Sequence, residues 1–181
     1  IGTSQYFEAV ILPFTYDAKA DRAQIKRLEL AIQMGTEEKL QYDPVDLAVD
    51  IYKTVITDEL MSAKDYAIES NISVKDVESR IATVDLIHDF LRFINSDSEN
   101  YHIIKDLKLY THLYELVKKL TSLFPNKGPN YEQTKITTFT FLGKAFLTGG
   151  DTLRESRDYI KEIIGSAVNN HFNDEVEETV D

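Results

Sequence analysis

Two helical patterns joined by a very short polar turn, in the middle of the chain, constrain its fold more than any other feature. The first pattern opens at Ser62, with Asp65 three residues later as a capping-box partner. The turn contains Asn71, a residue type that adopts the left-handed backbone conformation more readily than most. In the second pattern, Val77 and Ile81 are spaced to face the first helix. A turn this short makes the two helices pack against each other, which predicts a helical core around them.

Helical periodicity extends over most of the remaining chain. The pair Asp43-Pro44 combines an N-cap residue with proline at the first helical position. Residues 135–142 alternate Thr and Phe as a strand does, but their apolar residues also fit a helical stripe. We favour a helix there because no strand partner lies nearby. The predicted helices cover residues 21–35, 44–56, 62–70, 74–94, 98–108, 111–124, 135–146 and 152–170.

The two ends of the chain differ from its middle. Residues 1–16 form a strand-like run, whose partner strands must come from outside this segment because a lone strand is not stable. We therefore predict a mainly α fold: a multi-helix domain containing a helix-turn-helix, with a small β remnant at the N-terminus. The predicted domains are residues 1–40 (strand plus helix), 41–124 (helix-turn-helix region), 125–172 (C-terminal helical region) and 173–181 (acidic disordered tail).

The chain is acidic, with 20 Lys and Arg against 31 Asp and Glu and a formal net charge of −11. Because phosphate binding depends on local cations, this balance argues against a protein that holds nucleic acid by bulk charge. The charge is unevenly distributed, since residues 174–181 hold five acids and residues 101–135 hold six lysines against three acids. Any contact with DNA is therefore expected to be local and sensitive to salt.

Several classes of protein are excluded by what the sequence lacks. It contains no Cys, which rules out disulfides, a thiolate nucleophile and a cysteine zinc site. Its longest apolar stretch, residues 9–14, is far too short to cross a bilayer, and its start does not resemble a signal peptide. We expect a cytoplasmic protein without membrane association. Because the first residue is Ile, we also expect the chain to be a fragment of a longer protein.

The sequence offers no convergent set of residues for catalysis. Its four histidines show no metal-binding spacing, and phosphate-loop and nucleophile-elbow motifs are absent. Asp85 and His88 share a helical face, where we expect a surface ion pair rather than a metal site. We therefore predict no catalytic residues, no metal and no cofactor, and a protein that is not an enzyme.

The helix-turn-helix pattern suggests where DNA would be contacted. In such a unit the N-terminal part of the second helix reads base edges, and neighbouring cations hold the phosphate backbone. A plain pair of antiparallel helices in a helical core explains the same pattern, and a solvated helix face explains the lysines. The candidate base contacts are Ser73, Lys75, Ser79 and Arg80, and the candidate backbone contacts are Lys64, Lys105, Lys108, Lys118 and Lys119.

Over residues 5–95 the order of elements resembles the ParB family of chromosome and plasmid partitioning proteins. Residues 44–48 (PVDLA) look like the Pro-x-Glu-x-Ala helix start of that family, and residues 62–67 (SAKDYA) look like its Thr-Gln-Glu-Glu-Val-Ala helix. Ile72-Ser73, with Val77 and Ile81, looks like the Lys-Ser and the apolar anchors of its recognition helix. Where the family has Glu-Asn-x-x-Arg, this chain reads GTEEK, so Lys39 is the one candidate for the nucleotide (CTP) site of the family.

The resemblance implies a DNA-binding protein that recognises a centromere-like site in double-stranded DNA during plasmid or chromosome partition. It implies residues 1–40 to be the end of a ParB-like N-terminal domain. A ParA-type ATPase would be its protein partner, and a homodimer would present two helix-turn-helix units. The amphipathic residues 152–170 suit either dimerisation or burial within the same domain. The alternative is a helical protein–protein interaction module that keeps the fold but not DNA binding.

Overall fold

The computed structural model describes residues 11–35 and 42–148, and this part of the chain is mainly helical, as predicted. It contains no β-strand within those residues. After α2 the chain continues through one wider π-helical turn, Lys53–Thr57, to the break predicted near Asp58. The helices are α1 (Lys19–Gly35), α2 (Pro44–Tyr52), α3 (Ala63–Ser70), α4 (Val74–Phe93), α5 (Tyr101–Asp106), α6 (Tyr110–Leu123) and α7 (Pro129–Thr148).

Some predictions about the two ends lie outside the described residues. The strand-like run is described only from residue 11 onward, where residues 11–16 are irregular and make no strand. Pro13 lacks the backbone N–H that a sheet ladder needs, and no described segment pairs with this stretch. Residues 1–10, the predicted helix 152–170 and the predicted acidic tail are not among the described residues.

The predicted helix starts are confirmed by their side-chain caps. The Asp43 carboxylate accepts a hydrogen bond from the Val45 amide at 2.8 Å, with Pro44 at the first helical position. The Ser62 hydroxyl accepts from the Asp65 amide at 3.1 Å and donates to the Asp65 carboxylate at 2.7 Å. Each cap satisfies a backbone donor that the first helical turn leaves without a partner.

The connection between α3 and α4 has the predicted backbone. Asn71 ends α3 in the left-handed conformation, with φ of 53°, and the Ile72 amide donates to the Ala67 carbonyl at 3.1 Å. Ile72 is partly buried and packs against a small core that includes Ala67 and Val77. The side chains of this core come from α1, α2, α3 and α4, so the two helices are embedded in a helical unit.

A larger core lies between α4, α6 and α7, and it decides the ambiguous Thr/Phe segment in favour of a helix. Phe139 of α7 is buried and meets Phe90 of α4 edge-on, with ring centroids 5.4 Å apart. The Thr138 hydroxyl donates to the Thr134 carbonyl one turn earlier, at 2.8 Å. This local bond satisfies a buried hydroxyl inside the helix, which is how a threonine-rich segment is accommodated there.

Candidate nucleic-acid interface

The N-terminus of α4 is presented at the surface by the short turn that precedes it. Ser73 is the N-cap residue, with an extended backbone, and its hydroxyl accepts from the Asp76 amide at 3.0 Å. The Ser73 side chain is exposed, as its candidacy for a base contact requires. The cap uses one of the acceptor positions of the hydroxyl and satisfies one backbone donor in the first turn of α4.

The outward side of this first turn carries three exposed side chains. Val74 is 38% exposed, and both Lys75 and Glu78 are exposed. The adjacent side of the helix is apolar, with Val77 fully buried and Ile81 packed against the small core. Among the residues that the structure describes, Lys75 is in no ion pair, so its ammonium is open to a ligand.

Ser79 and Arg80 bond within the protein. The Ser79 hydroxyl donates to the Lys75 carbonyl at 2.8 Å, a helix-internal bond on a partly buried side chain. The guanidinium of Arg80 donates to Asp76 at 2.8 Å and to the Tyr110 hydroxyl at 3.3 Å. Its side chain is 20% exposed. A base contact by Arg80 would have to replace both of these hydrogen bonds.

Asp76, Arg80, Tyr110 and Tyr114 form a polar clamp between α4 and α6. The Tyr114 hydroxyl donates to Asp76 at 2.7 Å, while Arg80 bridges from Asp76 to Tyr110. Burial alone would raise the pKa of the Asp76 carboxyl, but the hydrogen bonds from Arg80 and Tyr114 outweigh it and hold that pKa below its ordinary value. The Asp76 carboxylate is therefore charged at neutral pH and holds Arg80 firmly.

The two tyrosines of this clamp are neutral at neutral pH. Their rings stack with centroids 6.0 Å apart and an interplanar angle of 15°. Burial raises the pKa of Tyr110 to about 12. Burial and the hydrogen bond to Asp76 raise the pKa of Tyr114 to about 12 as well. The Lys118 ammonium lies 4.2 Å from the centroid of the Tyr114 ring, a cation–π contact that places an exposed cation of α6 beside the clamp.

The predicted backbone-contacting lysines fall into two groups. Lys105 is held by Asp46, with 2.5 Å between ammonium and carboxylate, so it already has an anionic partner. Lys108, in the loop before α6, has a φ of 53° and is exposed. In the part of the chain that the structure describes, the other four are exposed and in no ion pair with a carboxylate: Lys64, Lys108, Lys118 and Lys119. Lys39 lies outside the described residues.

A groove that the sequence did not predict lies between α4, the end of α6 and the start of α7. Its volume is about 280 Å³, its floor includes Leu86 and Val117, and its rim includes Asp85 and Asp89. Lys135 lies in the same groove and pairs with Asp89 at 3.0 Å, which neutralises part of the rim. Sequence patterns carry no signal for such a groove, because it is formed by residues far apart in the chain.

The expected ion pair between Asp85 and His88 is not formed among the described residues. Asp85 accepts instead from the Tyr52 hydroxyl of α2 at 3.0 Å. His88 Nε2 shares a hydrogen bond of 2.8 Å with the Tyr101 hydroxyl of α5, and its ring meets the Tyr52 ring edge-on at 5.3 Å. Burial lowers the pKa of His88. The negative charge of Asp85 raises this pKa and the positive charge of Arg92 lowers it, and the net shift is downward. Tyrosines from two other helices thus replace the predicted pairing.

This environment predicts that acid weakens the fold through His88. Because the pKa of His88 is lowered in the folded protein, the unfolded chain binds the proton first as the pH falls below about 6.5. The free energy of unfolding is therefore expected to fall as the pH drops through this range. The change His88→Gln should flatten that part of the curve, as measured by urea unfolding at pH 7.5, 6.5 and 5.5. The exposed His102→Gln is the control, and an equal flattening in both variants would contradict the prediction.

Comparison with known proteins adds no relative to this picture. No family model matches the chain, and no curated protein and no solved structure shows detectable similarity to it. None of the described helices has the length and apolar content needed to cross a lipid bilayer. Within the same residues, no three His, Cys, Asp or Glu side chains are grouped so that they would hold a metal ion.

Proposed function

We propose that this chain binds double-stranded DNA, with the N-terminal end of α4 in the major groove. The observation that carries the proposal is the contrast between its cations. Lys26, Lys105 and Lys135 are each held by a carboxylate. Lys75 lies at the start of α4 and Lys118 lies beside the clamp; both are exposed and in no ion pair among the described residues, so they are free to meet DNA.

The resemblance to the ParB family supports the more specific form of this proposal. In this more specific form, we propose that a dimer of the chain binds a centromere-like DNA site in plasmid or chromosome partition, in the cytoplasm. A ParA-type ATPase is the proposed protein partner. The short α3, the three-residue turn and the exposed start of α4 have the connectivity that such a DNA contact requires. Nucleotide binding at Lys39 stays a prediction, since that residue is outside the described part of the chain.

The test is fluorescence anisotropy with pooled genomic duplex fragments at low and at moderate salt. The unaltered chain is expected to bind at low salt and to lose affinity steeply as salt is added. The double variant Lys75→Ala/Lys118→Ala should weaken binding by about tenfold or more and reduce the salt slope by about one, because Lys118 loses a phosphate contact and Lys75 loses a base contact.

A matched control removes two cations that lie elsewhere. Lys53 follows α2 and Lys127 lies in the loop before α7; both are exposed, and the double variant Lys53→Ala/Lys127→Ala changes the net charge by the same amount. Its salt slope should stay close to that of the unaltered chain. If the affinities of the two double variants depend equally on salt, α4 and α6 make no specific phosphate contact, and the proposed interface is contradicted.

A second function, a helical protein–protein interaction module, is favoured by one observation. Two apolar side chains are exposed on the helix pair, Val74 of α4 at 38% and Ile68 of α3 at 67%, and Glu78 of α4 is exposed as well. An apolar and acidic surface suits a protein partner better than phosphate. Absence of DNA binding by the unaltered chain at low salt would support this function instead.

A further inference from the structure

The start of α4 has two polar sides, and the structure uses them differently. Asp76 and Arg80, one turn apart, belong to the clamp that faces α6. Val74, Lys75 and Glu78 lie on the outward side, within about 100° of one another around the helix axis. The clamp therefore decides which side of the helix a ligand can reach, and Arg80 is on the side that is already occupied.

We infer that Val74, Lys75 and Glu78, rather than Arg80, determine the DNA sequence that the chain prefers. This inference rests on the proposed function, and it assigns a chemical class to each contacted base. A carboxylate accepts a hydrogen bond from the amino group of cytosine, an ammonium donates to the O6 and N7 acceptors of guanine, and an apolar side chain contacts the methyl group of thymine. The preferred site should therefore present cytosine, guanine and thymine within a few successive base pairs.

Glu78 has a second effect that follows from its charge. Lys75 and Glu78 are three residues apart, yet they form no ion pair with each other among the described residues. Both side chains therefore remain open to the major groove of DNA. A carboxylate facing phosphates is repelled unless a cytosine amino group compensates it. Glu78 therefore weakens binding to every sequence that lacks the matching base, which is specificity by repulsion.

Arg80 acts in this arrangement as a positioning residue. Its guanidinium holds Asp76 and Tyr110 together, which attaches α4 to α6 and sets the angle at which the outward side is presented. The Tyr114 hydroxyl supports the same carboxylate from α6 at 2.7 Å. A change that loosens the clamp should reduce the sequence preference at all contacted bases. A change in Val74, Lys75 or Glu78 should alter the preference at one base.

The test is selection from a pool of randomised duplexes, followed by affinity measurements on the selected and on scrambled sequences. The unaltered chain should enrich one site. The change Glu78→Gln should exchange cytosine for adenine at one position, because an amide pairs with adenine, and should tighten binding to scrambled DNA several-fold. The change Glu99→Gln removes an exposed carboxylate from the loop after α4 and should leave the selected site unchanged.

The outcomes separate this inference from the function on which it rests. No binding at low salt by the unaltered chain overturns the proposed DNA function itself. An enriched site that Glu78→Gln leaves unchanged, while Arg80→Lys changes the preference at a single base, keeps DNA binding but overturns the assignment of the reading residues. Loss of preference at all positions in both Arg80→Lys and Tyr114→Phe, with a changed single base in Glu78→Gln, supports it.

Discussion

Truncation of Phe139 to alanine is expected to lower the free energy of unfolding by about 3–5 kcal/mol. The ring is 2% exposed and contacts two aromatic rings of α4, Phe90 at 5.4 Å and Phe93 at 5.7 Å between centroids. Its removal leaves a cavity between α4 and α7 that the neighbouring helices cannot fill without moving. The measurement is urea unfolding followed by circular dichroism, with an unchanged m value as evidence that only stability changed.

The control for this prediction lies on the same helix. Ile136 is one turn before Phe139 in α7 and is 48% exposed, so Ile136→Ala removes much less buried apolar surface. It should cost at most about 1 kcal/mol. Similar losses for the two variants would mean that α7 does not pack with Phe139 inward, and the helical assignment of residues 135–142 would have to be revised.

Removal of the Asp50 carboxylate is the second large effect, with an expected loss of about 2–3 kcal/mol in the Asp50→Ala variant. Asp50 accepts from the Lys26 ammonium at 2.6 Å and from the Tyr66 hydroxyl at 2.9 Å. The Lys26 side chain is only 9% exposed, and its other partner is Glu29 at 3.2 Å. Burial, together with Asp50, raises the pKa of Tyr66, so its hydroxyl stays protonated and needs an acceptor. The variant leaves a buried ammonium with one partner and a buried hydroxyl with none.

Two further variants show whether the lower free energy of unfolding comes from the Lys26 ammonium and the Tyr66 hydroxyl that lose their acceptor. Asp58→Ala removes an exposed acid that lines a cavity between α1 and α2 together with Lys26 and Asp50, and it should change stability by less than about 0.5 kcal/mol. The double variant Asp50→Ala/Lys26→Met removes both charges and should recover much of the loss, since an apolar side chain replaces the buried cation. A double variant that is less stable than Asp50→Ala alone would contradict this explanation.

Much of the local structure followed from the sequence, because it depends on residues a few positions apart. The caps at Asp43, Ser62 and Ser73 each use a side chain and an amide two or three residues later. The left-handed Asn71 depends on the backbone preference of a single residue type. The burial of Val77 followed from helical spacing. Such short-range interactions can be recognised without knowing which distant segments meet.

Only the tertiary structure decided which polar residues stay available for a ligand. Helical spacing puts Arg80 within reach of Asp76 one turn earlier, but its second hydrogen bond depends on Tyr110, thirty residues later in α6. Asp85 and His88 in the same way are paired by tyrosines of α2 and α5 rather than with each other. The sequence by itself determined the capped helix starts, the left-handed turn and the buried apolar sides, because those are local preferences. The surface left open to a ligand was decided by packing between segments far apart in the chain, and no local pattern encodes that packing.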